Sequence, residues 1–113
     1  TPLEVNYPGL ESSPYYSLAK KYFNGKGGAN VTIRTGSKEK AFKLLNNLQI
    51  PSIATNIGDT RTLVIHPVST IYIHNTPEQM ENAGVYDDTI RISVGIEDIE
   101  DLIDDFSQAI KNI

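Results

Sequence analysis

The sequence predicts an α+β (two-layer α/β) domain with one mainly antiparallel sheet, helices packed on one of its faces and the other face half-polar. Three observations lead there. Apolar and polar residues alternate at Val31/Ile33 and at Ile90/Ile92/Val94, the period of a strand with one buried side. Other segments repeat apolar residues at helical spacing: Ala41, Phe42, Leu44, Leu45 and Leu48, then Ile96, Ile99, Leu102, Ile103, Phe106 and Ile110. Finally, 113 residues of which 39% are hydrophobic can build one compact core but not two ordinary domains.

Taken in order, residues 5–7 form a short β-prone piece closed by Pro8-Gly9. Ser13 is placed to cap a helix that has Pro14 at its first position and runs to about Phe23. The run NGKGG breaks it, and NVTIRT reads as a half-buried strand. Ser37 caps a second helix, ended by Pro51. Residues 52–56 suggest a short strand, Gly58-Asp59 a turn, and TLVIHP a buried strand. IYIH alternates again and predicts a strand over 71–74. Thr76, Pro77 and Gln79 form a capping-box start to a short helix stopped by Gly84. IRISV is the next strand, and the last helix carries the acidic run EDIEDLIDD.

Charge and composition exclude several classes of function. Fourteen carboxylates outnumber ten cations, leaving a net charge of −4 and no general attraction to nucleic acid or to an anionic membrane. No stretch reaches the roughly 20 apolar residues that cross a bilayer, and the first residues lack the basic and apolar regions of a secretory signal. Without cysteine there is neither a disulfide framework nor thiolate chemistry, and a cytoplasmic origin is expected. His66 and His74 have no metal-motif spacing and read as structural, so no metal is expected. The absence of an initial Met suggests that an N-terminal part of a longer polypeptide precedes Thr1.

Few residues point to chemistry. Gly25-Lys26-Gly27-Gly28 lacks P-loop spacing and precedes a strand rather than a helix. Asp104 and Asp105 are adjacent on a helix and diverge, so the acidic run reads as a solvated face that complements the helix dipole. Arg91 differs from these. If Ile90, Ile92 and Val94 face the core, Arg91 and Ser93 face away from it, and a guanidinium on a rigid strand suits two-pronged binding of a carboxylate.

The segments YPGLESSPYYSLAKKYF, GGANVTI, NIGDTRTLVIHPVST, TPEQMENAG and TIRISVGIEDIEDLIDD, in this order over nearly the whole chain, resemble the C-terminal part of the cysteine/methionine-metabolism enzymes that use pyridoxal 5′-phosphate (PLP). NIGDTRTLVIHP is most similar to the O-acetylhomoserine sulfhydrylase branch; cystathionine γ-synthases and methionine or cystathionine γ-lyases are the alternatives within the family. The resemblance implies that residues 1–113 are the small substrate-closing domain of a fold-type I enzyme, whose large domain, absent here, binds PLP through a lysine. It implies an amino-acid substrate, a homotetrameric full-length protein, Arg91 of the R-[IL]-S-V-G motif as ligand of the substrate α-carboxylate, and Asn56 beside it. It implies no catalytic and no cofactor-binding residue in this chain, which alone should be inactive. One departure bears on substrate preference: Ile71-Tyr72 stand where the family commonly has Thr-His. Outside the family, a non-enzymatic amino-acid-binding or dimerisation module has the same layout.

Overall fold

The computed structural model describes residues 3–113. Among them, five strands form one sheet in the order β1-β2-β5-β4-β3: β1 (Glu4–Asn6), β2 (Asn30–Arg34), β3 (Ser52–Ile53), β4 (Leu63–Ile65) and β5 (Thr89–Ser93). Every neighbouring pair is antiparallel except β3 with β4. The helices are α1 (Tyr16–Phe23), α2 (Lys38–Asn47), α3 (Pro77–Asn82) and α4 (Ile99–Lys111), with a 3₁₀ turn at Pro67–Ser69. The predicted α+β class and the mainly antiparallel sheet hold.

The core lies on one face of this sheet. Ile33 of β2, Val64 of β4 and Ile90 and Ile92 of β5 pack against Ala41, Leu44 and Leu45 of α2, Leu48 just beyond it, and Ala109 of α4. Burying each large aliphatic side chain contributes about 1.5–3 kcal/mol. Helix ends are also specified locally. Ser37 Oγ accepts from Lys40 N, Thr76 and Gln79 close the expected capping box, and Asp98 accepts from Glu100 N and Asp101 N.

The parallel β3–β4 pair decides where the connecting chain goes. Parallel strands require a return to the starting end, usually through a helix. Here segment 54–62 makes that return as a loop, and its hydrogen bonds to Arg91 and Ser93 lay it across the sheet face opposite the core.

Several expectations need correction. IYIH is no strand: residues 70–74 form successive turns, in which Tyr72 N donates to Pro67 O and Ile73 N to Thr70 O. With their amides bonded locally, these residues join no sheet, and Ile71 and Ile73 remain exposed. Helix α1 starts at Tyr16 rather than Pro14, because Ser13 Oγ accepts from Tyr15 N in a preceding turn instead of capping the helix. The strand expected over 52–56 stops at Ile53, which leaves Asn56 in the loop. Helix α2 ends at Asn47, before Pro51, and Phe42 is only partly covered, its ring 4.7 Å from that of His66. Ile96 precedes α4 and is 81% exposed.

Asp105 overturns the reading of the acidic run as wholly solvated. It is buried, and its carboxylate accepts from Gln49 N, Ile50 N and Gln108 Nε2. It thereby ties α4 to the chain leaving α2. Asp104, its neighbour, stays exposed.

Position within the fold sets the expected cost of truncation. Ile90→Ala, at a side chain with no exposed surface, is expected to cost about 2–5 kcal/mol, whereas Ile99→Ala on the exposed edge of α4 should cost less than about 1 kcal/mol. Urea unfolding monitored by circular dichroism measures both.

Candidate functional site

Strand β5 occupies the middle of the sheet, with β2 on one side and β4 on the other. Its register pairs Arg91 with Thr32 and with Ile65, and Ser93 with Asn30 and with Leu63. Residues paired across strands share a face. Since Ile90 and Ile92 are in the core, Arg91 and Ser93 stand on the opposite face, as the alternation predicts. That face is less open than its composition suggests: Leu63, Ile65, Thr89 and Ser93 on it are all buried.

Arg91 itself is half-exposed, and its Nη2 donates to Thr55 O at 2.9 Å. Among the described residues it has no carboxylate within salt-bridge distance. One guanidinium nitrogen is thus held by a backbone carbonyl, which orients the planar group and leaves further N–H donors for a ligand. The contact also brings the next residue, the exposed Asn56, to the Arg91 end of the face. Asn56 thus follows directly on the residue whose carbonyl holds Arg91.

A second cation on the same face behaves differently. Arg34 of β2 donates from Nε to Asp88 Oδ1 at 3.0 Å, approaches Glu4 at 4.0 Å, and lies 4.1 Å from the ring centroid of Tyr86. It lines a groove of about 430 Å³ together with Asn6, Thr32, Tyr86 and Thr89. Its charge is already matched, so this groove offers an anion much less than Arg91 does.

The loop over Arg91 is fastened at several points that residue types alone did not reveal. Gly58 N donates to Ser93 Oγ at 3.2 Å, and Ile96 N to Thr60 O at 2.9 Å. Thr62 N and Oγ1 both donate to the Glu97 carboxylate at 2.7 Å, while Thr62 Oγ1 accepts from Gly95 N at 2.9 Å. Most of these partners are backbone groups, which every sequence supplies. The only local signals are two glycines: Gly58 has φ +82°, and a Cβ on Gly95 would lie 2.6 Å from backbone atoms of Arg61 and Thr62.

His66 is buried, with Nδ1 2.7 Å from Ser69 Oγ and Nε2 2.6 Å from Asp87 O. The Asp87 carbonyl requires a donor, so Nε2 carries a proton. This fixes the 3₁₀ turn to the approach of β5, the structural role expected for it. His74 is exposed. Gly25 to Gly28 form a loop whose last carbonyl accepts from Tyr7 OH at 2.8 Å. No described helix is long and apolar enough to cross a membrane, and no described group of three or more His, Cys, Asp or Glu is placed to hold a metal ion.

PLP requires a lysine to form its imine and a partner for its ring nitrogen. Of the seven lysines, Lys20, Lys21, Lys26, Lys38, Lys43 and Lys111 are exposed on the surface, and Lys40 is half-buried in α2. None stands with Arg91 on β5. The residues of this chain do not fit PLP as a self-contained site.

Residues 3–111 match the family model for the Cys/Met metabolism PLP-dependent enzymes. O-acetyl-L-homoserine sulfhydrylase 1 of Thermus thermophilus is 44% identical over 94% of this chain and 25% of its own length. An L-methionine gamma-lyase of Fusobacterium nucleatum is 42% identical over 97% of this chain and 28% of its own. Among solved structures, a Campylobacter jejuni chain assigned as an O-acetylhomoserine (thiol)-lyase, with N′-pyridoxyl-lysine-5′-monophosphate at its position 205, superposes with a TM-score of 0.88 at 37% identity. That match covers 96% of this chain and 26% of the other. The chain belongs to the Cys/Met metabolism PLP-dependent enzyme family, and it spans about a quarter of the length of these relatives.

Asp88 gives the face a measurable pH dependence. Burial pushes its carboxyl upward, but the Gly36 amide, the Arg34 Nε hydrogen bond and the Arg34 charge outweigh burial and hold it below the ordinary aspartate value. A lowered folded value contributes stability above the unfolded value of about 3.9, lost as pH falls from there through the folded value. Asp88→Asn is expected to flatten that acid limb and to cost about 1–2 kcal/mol at neutral pH. Urea titrations between about pH 2 and pH 7 test both.

Proposed function

We propose that residues 1–113 are the C-terminal, substrate-closing domain of a PLP-dependent O-acetylhomoserine sulfhydrylase, in which Arg91 binds the α-carboxylate of the amino-acid substrate and Asn56 lies beside it. The observation that carries this reading is the state of Arg91: a guanidinium on the central strand, oriented by Thr55 O and without a carboxylate partner among the described residues. A two-pronged contact with a carboxylate satisfies it, and a flat guanidinium fixes the orientation of the bound amino acid. The relatives above and the NIGDTRTLVIHP segment support the sulfhydrylase reading.

On this reading the rest of the polypeptide would hold PLP, which would supply an electron sink for exchanging the acetate of O-acetylhomoserine for sulfide or methanethiol, with homocysteine or methionine and acetate as products. Arg91 binds and orients; it transfers no proton. The half-covered face around it limits water at the carboxylate, which strengthens that contact. The full-length protein is read as a cytoplasmic homotetramer by family resemblance.

A second reading has a specific observation behind it: the methionine γ-lyase is nearly as similar as the sulfhydrylase. The full-length enzyme should consume O-acetylhomoserine with sulfide faster than it degrades methionine or cystathionine; the reverse order would select the lyase. The isolated chain mixed with PLP should give no stoichiometric PLP–lysine absorbance band and no turnover. Catalysis by the chain alone would overturn the division of labour.

Arg91→Lys in the full-length, PLP-loaded enzyme is expected to raise KM for O-acetylhomoserine by about 10- to 150-fold, the equivalent of losing a charge-assisted contact of about 1.5–3 kcal/mol. Steady-state kinetics at fixed sulfide measure it. Unchanged KM would remove Arg91 from the substrate.

A further inference from the structure

We infer that Glu97 is a positioning residue for the substrate site, acting through Thr62 to hold loop 54–62 against β5. This rests on the reading of Arg91 and Asn56 as the carboxylate site. The loop touches the site at its first half, where Thr55 O orients Arg91 and Asn56 follows. Within that half the loop is held at its start by Ala54 N donating to Val64 O, then by Arg91 and by the bond from Gly58 N to Ser93 Oγ. Its second half carries the stronger fastening. There the Glu97 carboxylate accepts from both Thr62 N and Thr62 Oγ1 at 2.7 Å, and the same hydroxyl accepts from Gly95 N at 2.9 Å.

The geometry of this latch is specific. Thr62 is 1% exposed, so its amide and hydroxyl need protein partners. A threonine hydroxyl has one proton to give; it goes to the carboxylate, and the oxygen's lone pairs remain for Gly95 N. Both oxygens of Glu97 are thus used on one residue, from a position immediately before α4. Gly95 lets the two backbones meet, since any Cβ there would press on Arg61 and Thr62 backbone atoms. Charge-assisted bonds of this length are the strong class, and the pair holds the Glu97 carboxyl below its usual range against the opposing effect of burial.

Releasing the latch leaves the second half on the backbone bonds Ser52 N–Thr62 O and Ile96 N–Thr60 O, and the looser loop no longer fixes the Thr55 carbonyl that orients Arg91 or the place of Asn56. The group that binds substrate is misplaced, whereas the groups that break and form bonds are carried by the rest of the polypeptide. The effect therefore falls on KM and spares kcat.

The test uses the full-length, PLP-loaded enzyme with O-acetylhomoserine and sulfide, comparing Thr62→Val, Thr62→Ser, Glu97→Ala and the double variant Thr62→Val/Glu97→Ala. Thr62→Val preserves shape and should fold even if Glu97→Ala does not. Thr62→Val and Glu97→Ala are each expected to raise KM for O-acetylhomoserine about 5- to 20-fold with kcat within about twofold. Thr62→Ser, which keeps the hydroxyl, should stay near wild type, and the double variant should be no worse than the worse single one. PLP content of Thr62→Val should match wild type and its melting temperature, though lowered by the lost buried bonds, should stay above the assay temperature, so that the KM change is read on folded enzyme while kcat is spared. The inference fails if Thr62→Val leaves KM within about twofold of wild type, or if Thr62→Ser is as impaired as Thr62→Val. Arg91→Ala in the same assay separates the two claims: raised KM there with unchanged KM in the latch variants refutes only the latch, while unchanged KM in Arg91→Ala refutes the carboxylate site.

Discussion

The burial of Ile90 and Ile92 against α2 and α4 is the constraint on which the other features depend. Strand geometry allows no compromise: once those two side chains face the helices, Arg91 and Ser93 must face away. A slip of one residue in β5 would bury a guanidinium and expose two isoleucines, so the hydrophobic core sets the register of the strand that presents the site. Rigidity comes with it, because β5 is bonded along both edges, to β2 and to β4.

From that strand outward, the site is assembled by contacts of decreasing regularity. Arg91 is placed by a ladder of backbone hydrogen bonds. Loop 54–62, which brings Thr55 and Asn56 to it, is placed by the parallel β3–β4 pair and then by individual bonds to Arg91, Ser93, Ile96 and Glu97. Loops positioned by a rigid scaffold are where binding residues concentrate, and here the scaffold and the loop contribute one candidate residue each. The two arginines on the same face show how partners decide the use of a charge. Arg34 is spent on Asp88 and on stacking over Tyr86, whereas Arg91 retains free donors.

The division of the enzyme's work follows from the same chain. It offers a guanidinium with free donors and no lysine set for PLP, and the family members compared above are about four times its length. The groups that bind the substrate carboxylate and those that bind the cofactor therefore belong to different parts of a longer polypeptide on this reading.

Much of this was legible in the sequence because it depends on local periodicity. Alternation at Val31/Ile33 and Ile90/Ile92, the stripe through Leu44, Leu45 and Leu48, and the Thr76/Gln79 capping box each appear in the structure, since their physics is confined to a few neighbouring residues. The same rules erred wherever a distant partner intervened. IYIH alternates yet folds into turns, because nearby carbonyls take its amides, Pro67 O that of Tyr72 and Thr70 O that of Ile73. Asp105 looks solvated in an acidic helix yet is drawn inward by the unpaired amides of Gln49 and Ile50. Sequence alone thus determined the fold class, the face on which Arg91 stands and, through family resemblance, the candidate carboxylate ligand. Only the tertiary structure decided that Arg91 is oriented by Thr55 O, that Arg34 is already paired, and that Glu97 holds the loop beside the site. Those are contacts between backbone and side-chain groups far apart in the chain, and no local pattern of residue types encodes them.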